Sequence, residues 1–204
     1  MSRGRLIAIV CYLAIASGCG PVPLVPVTYE SEVIARSNVD AFFSVNSGRI
    51  IGHSSSSMVY AGGIFVPVST GPVPRLQFGA EDQSIFIENL KSEMKRLGII
   101  GSVADSASPE TLSIAVNFVQ SEHFPDFQEY KLTVSMTLNF NDQSVASRYE
   151  VLSSDGDSTW EKWNTNASKG KSKAASKLMN LLLMDIQHFI LQIEAHESAK
   201  TLRT

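Results

Sequence analysis

The most regular pattern in this 204-residue chain is YKLTVSMTLNF, at Tyr130–Phe140. Every second residue is apolar or aromatic, and the residues between them are lysine, threonine, serine or asparagine. Successive side chains of a strand point to opposite faces of a sheet, so this alternation predicts a strand with one buried face and one polar face. Another layer of the protein must therefore cover one side of the sheet.

Two further strands are predicted beside this one. Leu112–Phe118 alternates in the same way and precedes it along the chain. After it, the residues at 141–143, Asn-Asp-Gln, have the composition of a tight turn, and Val145–Leu152 is predicted to return antiparallel. Together these segments predict strands joined by hairpins.

Two amphipathic helices are predicted, one on each side of these strands in the sequence. The first begins near Asp82, carries apolar residues at spacings of three and four, and stops at Gly98. The second has a wider apolar stripe, made of Ala175, Leu178, Leu182, Ile186, Phe189 and Ile193. The order predicts an α+β fold with two helices packed on one face of an antiparallel sheet, a mixed sheet being the alternative.

The chain before the first helix has weaker patterns. Ala41–Val45 is predicted to be a short strand, and Ile64–Val68 another, ended or confined to an edge by Pro67. Residues 46–57 are rich in serine, glycine and asparagine and are predicted to form a long loop. No role for residues 46–75 follows from their sequence.

The N-terminus has the order of a bacterial export signal. Two arginines precede the apolar run Leu6–Ala16, which is too short to span a bilayer. The sequence ASGC at 16–19 resembles the lipobox, in which Cys19 receives a diacylglycerol group before cleavage after Gly18. Ordinary secretory cleavage after Ala16 and a core role for the cysteine are the competing interpretations, and we favour lipidation.

The predicted organisation follows from this signal. We expect a lipoprotein signal peptide at 1–18, a lipidated cysteine and proline-rich tether at 19–38, a single periplasmic domain at 39–196 and a flexible tail at 197–204. The tether is expected to be extended, although its apolar side chains can also pack on the domain. Gly20 replaces the aspartate that favours inner-membrane retention in enteric-type lipoproteins, so we expect the outer membrane and rank the inner membrane second.

Charge argues against nucleic acid as a partner. The formal charge is −3, and removal of the two signal-peptide arginines leaves −5. The basic cluster of the chain lies where the second helix begins, and we interpret it as a solvated face rather than a phosphate-binding patch. It consists of Lys169, Lys171, Lys173 and Lys177.

The sequence contains no recognisable catalytic or metal-binding motif. Its histidines lie far apart, and Asp185 with His188 is interpreted as a polar helix face, because zinc normally needs three or four ligands. A hydrolase with a nucleophile from Ser54–Ser57 is a further hypothesis, which requires an acid beside the base His53. We expect no metal, no cofactor and no enzymatic activity.

Four aromatic residues are candidates for a partner interface. Trp160 and Trp163 would face the same way on a helix, and Phe124 and Phe127 lie in the loop that joins the two most regular strands. The competing interpretation, which we favour for the tryptophans, is that the rings cover the open end of the sheet.

The segment FIENLKSEMKRLG at Phe86–Gly98, followed by Leu112–Phe118 and Tyr130–Phe140, is similar to the helix and hairpin of small outer-membrane lipoproteins of the YajG group. The lipopolysaccharide-assembly lipoprotein LptE and auxiliary lipoproteins of ABC transporters have a comparable order of elements. The resemblance implies a membrane-anchored periplasmic lipoprotein that serves as a non-enzymatic accessory or assembly component of an envelope complex. The alternative is a lipid- or glycan-binding module, which would have an apolar cavity between helix and sheet.

Overall fold

A computed structural model describes Leu24 and residues 32–61, 64–159, 161 and 165–201. Cys19, Gly18, Trp160 and Trp163 lie outside the described residues. The elements in chain order are β1 Ala41–Gly52, β2 Ser55–Ala61, β3 Ile64–Thr70, a 3-10 turn Pro74–Leu76, α1 Ala80–Leu97, β4 Leu112–Phe124, β5 Glu129–Phe140, β6 Gln143–Leu152 and α2 Ala167–Thr201.

The main sheet has the strand order β1-β4-β5-β6, and β2 pairs with β3 in a separate two-stranded sheet. β4, β5 and β6 are antiparallel neighbours, whereas β1 runs parallel to β4. Parallel neighbours need a crossover connection, which here contains the β2–β3 hairpin and α1. The predicted α+β class is confirmed, and the sheet is mixed.

One face of the main sheet carries the core. Along β4 and β5 the alternate residues predicted to be buried are buried, and both helices contribute apolar residues to the same cluster. α1 begins at Ala80, and the carboxylate of Asp82, the third residue of the helix, accepts the N–H of Gly79. The helix ends at Leu97, and Gly98 follows it in the left-handed conformation, with φ of 70°. The predicted limits of α1 are therefore right to within two residues.

The prediction of a long loop at residues 46–57 is wrong, because only His53 and Ser54 of this segment lie outside a strand. β1 continues to Gly52 through Gly48, beside the point where β4 bulges against β5 between Phe118 and Gln120. A Cβ atom on Gly48 would lie 1.6 Å from the carbonyl oxygen of Phe118, so only glycine allows this approach. The small polar residues that suggest a loop are here part of a paired strand.

The segment before β1 lies on the body of the domain. The backbone N–H of Ile34 donates to Oε1 of Gln187 at 2.8 Å, and the N–H of Ser37 donates to the carbonyl of Gly98 at 3.0 Å. Leu24 is buried in the core cluster. The predicted tether at 19–38 therefore contributes packed residues to the domain from both Leu24 and residues 32–38.

Neither helix, within the residues that are described, has an apolar stretch long enough to cross a bilayer.

Candidate functional site

A buried ion pair joins the N-terminal regions of the two helices. Nζ of Lys171 lies 2.8 Å from Oδ2 of Asp82, and the lysine side chain is only 1% exposed. Lys171 is the fifth residue of α2, and a buried ammonium is unfavourable without an anionic partner, so the carboxylate of α1 offsets the cost of its burial. Gly170, the residue before this lysine, allows α2 to lie close to the turn between β4 and β5, since a Cβ there would be 2.2 Å from the carbonyl oxygen of Gln128.

The lysine cluster is thus not the solvated face that its composition suggests. Besides Lys171, Nζ of Lys173 pairs with Asp157 at 2.6 Å. Lys177 donates to the backbone carbonyls of Ser153 and Asp155, and burial lowers the pKa of its ammonium. These side chains fasten α2 to the turn after β6, because lysines placed at the helix start lie over carbonyls and carboxylates of that turn.

Two aromatic groups of β4 and β5 lie beside the ion pair. The His123 ring stacks on the Tyr130 ring with centroids 4.6 Å apart, and Tyr130 donates its hydroxyl to the carbonyl of Leu76 at 2.5 Å. Burial raises the pKa of Tyr130, and the charge of Asp82 acts in the same direction. We call Asp82, His123, Tyr130 and Lys171 the polar cluster.

His123 makes the polar cluster sensitive to acid. Its ring is buried and its Nε2 has no hydrogen-bond partner among the described residues. Burial lowers the pKa of His123 and outweighs a side-chain hydrogen bond with Gln128 that raises it, and the charge of Lys171 lowers the pKa further. Burial favours the neutral form of the imidazole, so protonation of this ring opposes folding.

We expect acid to destabilise the protein through His123. The unfolded state binds a proton below a pH of about 6.5, whereas the folded state does so only at lower pH, so the free energy of unfolding falls between these two values. Because one proton is involved, the loss cannot exceed about 1.4 kcal/mol for each pH unit. Urea unfolding at a pH of about 6.5 and of about 5.5 should show this loss in the wild type and a smaller loss in His123→Leu; equal losses in the two proteins would contradict the assignment.

The predicted base of a hydrolase has a carboxylate neighbour. Nε2 of His53 lies 3.1 Å from Oε2 of Glu122, and the imidazole stacks on Phe124 with centroids 4.3 Å apart. A triad also needs a nucleophile at the second ring nitrogen, and the neighbouring Ser54 is exposed. His53 and Glu122 thus supply a base and an acid, which do not make a catalytic set without a nucleophile.

The other predicted residues have separate positions. Phe124 is half-buried under His53, whereas Phe127 in the β4–β5 turn is 48% exposed. Asp185 accepts the hydroxyl of Tyr149 at 2.6 Å, and His188 is exposed, so the two do not form a metal pair. Within the described ranges, no three potential metal ligands converge.

The β2–β3 hairpin presents a row of exposed apolar side chains that the sequence analysis did not single out. Ile64 is 65% exposed, and Val66 and Val68, which follow it at every second position of β3, are each more than a third exposed. Alternation places these three side chains on one face of the strand. We call them the hairpin row. The sequence predicted a strand here, ended or confined to an edge by Pro67, but no role for its side chains.

A second surface feature is a groove between β1 and α1, with a volume of about 260 Å³. Val45 and Ser47 line it from the strand, and Gln83, Ser84 and Ile87 line it from the helix. We call this feature the edge groove. Sequence patterns could not reveal it, because the helix and strand that form it are brought together only by the crossover connection.

Comparisons with known proteins add little. No family model and no curated protein matches the chain. One solved structure, described as that of an uncharacterized protein, is 8% identical and covers 76% of this chain and 99% of its own, with a TM-score of 0.37. A likeness at this level carries no argument about function, which must be argued from the residues themselves.

Proposed function

We propose that the protein is an outer-membrane lipoprotein, anchored through Cys19, that docks onto an envelope protein as a non-enzymatic accessory component. The observation that carries the docking role is the hairpin row: three neighbouring apolar side chains exposed on a hairpin that is separate from the main sheet. Exposed contiguous apolar surface is unfavourable in water, and its usual use is contact with a partner.

The anchor is supported by the sequence of the first 19 residues and by the length of the apolar run. Mass spectrometry of the mature N-terminus tests it directly. We expect the first residue to be Cys19 carrying a diacylglycerol thioether, and density fractionation of envelopes to place the protein in the outer membrane. A mature peptide that begins at unmodified Ser17 would refute the anchor.

The packing of the domain favours docking over a lipid- or glycan-binding role. The side chains between helices and sheet are completely buried at many positions, including Leu90, Phe118, Leu132 and Leu182. A ligand between helix and sheet would have to force these side chains apart, which costs the free energy of their contacts.

We expect the hairpin row to hold the partner. In affinity capture of the full chain from detergent-solubilised envelopes, the double variant Ile64→Ser/Val66→Ser should recover at least about tenfold less of the partner that the wild type recovers, because two apolar anchors are lost from the contact. Val145→Ser is the matched control, since this strand valine is 39% exposed, close to the 37% of Val66. Equal recovery by the double variant and the control would exclude the hairpin row as the docking surface.

A further inference from the structure

β1 is an outer strand of the main sheet, and beyond Ala41 its outer edge has no neighbouring strand among the described residues. Ala41 donates its N–H to the carbonyl of Ser102 at 2.9 Å and accepts from the N–H of Ala104, so its backbone groups point away from β4. Backbone groups of successive strand residues alternate between the two edges. Those of Phe43, Val45 and Ser47 therefore also point away from β4, where no strand of the described residues pairs with them.

The edge groove lies beside this open edge, and it holds an unused amide. Gln83 is 1% exposed, and neither Nε2 nor Oε1 of its side chain has a hydrogen-bond partner among the described residues. Buried amides are nearly always hydrogen-bonded, and a side-chain amide offers a donor and an acceptor of the kind that a peptide group matches. The groove thus combines unpaired strand groups, a mixed lining in which Val45 and Ile87 lie near Glu88 and Lys91, and a peptide-like hydrogen-bonding group.

We propose that the edge groove binds an extended peptide segment of the partner protein, which adds to β1 as a fifth strand along Phe43–Ser47. Backbone hydrogen bonds to this edge give the affinity, as in other cases of strand addition. Alternate peptide side chains enter the groove against Val45 and Ile87, and its volume of about 260 Å³ favours small or β-branched residues. A peptide group of the partner forms hydrogen bonds with the side-chain amide of Gln83.

This inference rests on the proposed docking role, and it names the chemistry of one contact. An extended backbone is favoured over other occupants because the unpaired groups at the edge are backbone N–H and C=O, and because the buried group beside them is an amide. Apolar side chains alone would leave all of these groups unsatisfied.

Val45→Pro is the informative variant. It removes the N–H that points to the open edge and keeps every hydrogen bond to β4, so the sheet should stay intact. Val45→Thr is the control, since threonine is β-branched, similar in volume and retains the N–H. Gln83→Met is a second variant, which removes the amide from the groove at similar length.

The experiment uses the full chain in detergent micelles and a displayed library of random dodecapeptides. We expect enriched peptides to slow amide hydrogen exchange at Val45 and Ser47 at least about tenfold, because these N–H groups gain acceptors. Val45→Pro and Gln83→Met should each weaken binding of those peptides at least about tenfold, whereas Val45→Thr, which keeps the N–H, should bind them more tightly than Val45→Pro does.

Failure to enrich any peptide would overturn the inference, as would enriched peptides that bind Val45→Pro as well as the wild type. Slow exchange at Val45 and Ser47 in the peptide-free chain would also overturn it, because a second copy or another segment of this chain would then occupy the edge. Loss of peptide binding together with normal capture of the envelope partner would leave the docking role standing, since the hairpin row tests that role separately.

Discussion

Replacing Lys171 with methionine is expected to lower the free energy of unfolding by about 3 kcal/mol, since the substitution leaves the Asp82 carboxylate almost buried and without its cation. The ion pair is 2.8 Å long, and the lysine side chain has almost no contact with solvent. The carboxylate keeps one further bond, from the N–H of Gly79, which is too little to replace a charge partner.

A double-mutant cycle separates the stranded charge from the lost packing. Asp82→Asn keeps a side-chain acceptor for the helix cap and removes the charge, so Lys171→Met/Asp82→Asn should be more stable than Lys171→Met alone. Urea unfolding followed by circular dichroism gives the four free energies. Additive losses, with no coupling between the two positions, would mean that the ion pair contributes nothing beyond its separate side chains.

Replacing Gly48 with alanine is expected to cost at least about 3 kcal/mol, because the new methyl group would overlap backbone that cannot rotate away. The carbonyl oxygens of Phe118 and Val119 would be 1.6 Å and 2.5 Å from the Cβ. Either β1 separates from β4 at this point, or β4 shifts and disturbs the bulge that pairs with β5.

Gly71→Ala is the control for this substitution, since no atom lies within 4 Å of a Cβ built there. Its free energy of unfolding should stay within about 0.5 kcal/mol of the wild type. Amide exchange should locate the damage in Gly48→Ala, with faster exchange in the second half of β1 and little change in α2. A Gly48→Ala protein as stable as Gly71→Ala would mean that β1 does not approach β4 as described.

The half of the fold with strict periodicity could be predicted from the sequence. Tyr130–Phe140 alternates without interruption because one face packs on helices and the other remains polar. The need for one buried face therefore determines the residue type at each position of this strand. The same holds for α1, where Gly98 marks the end of the apolar stripe. In these elements local pattern and tertiary packing impose the same choice.

β1 could not be predicted in full, because its second half is held by backbone pairing and by one close approach rather than by a buried face. Gly48 is a loop residue by composition, and its role appears only when β4 lies beside it. Such a residue satisfies a tertiary requirement that no local pattern records.

The candidate sites were only partly within reach of sequence reasoning. Lys171 stood in a cluster of lysines, and nothing in its spacing distinguished it from Lys169, yet one is buried and the other is exposed. Gln83 likewise became notable only through its lack of a partner. Burial and pairing of single polar groups depend on which elements meet, which is decided by the crossover of the chain.

Leu24 limits how far the domain can work from the bilayer. With lipid on Cys19, as we propose, five residue steps separate the anchored atom from a side chain fixed in the core, and a fully extended chain covers at most about 18 Å over that length. The domain then stays close to the bilayer surface. A partner must come to the membrane surface to meet it, and free diffusion in two dimensions, not three, would set the rate of that encounter.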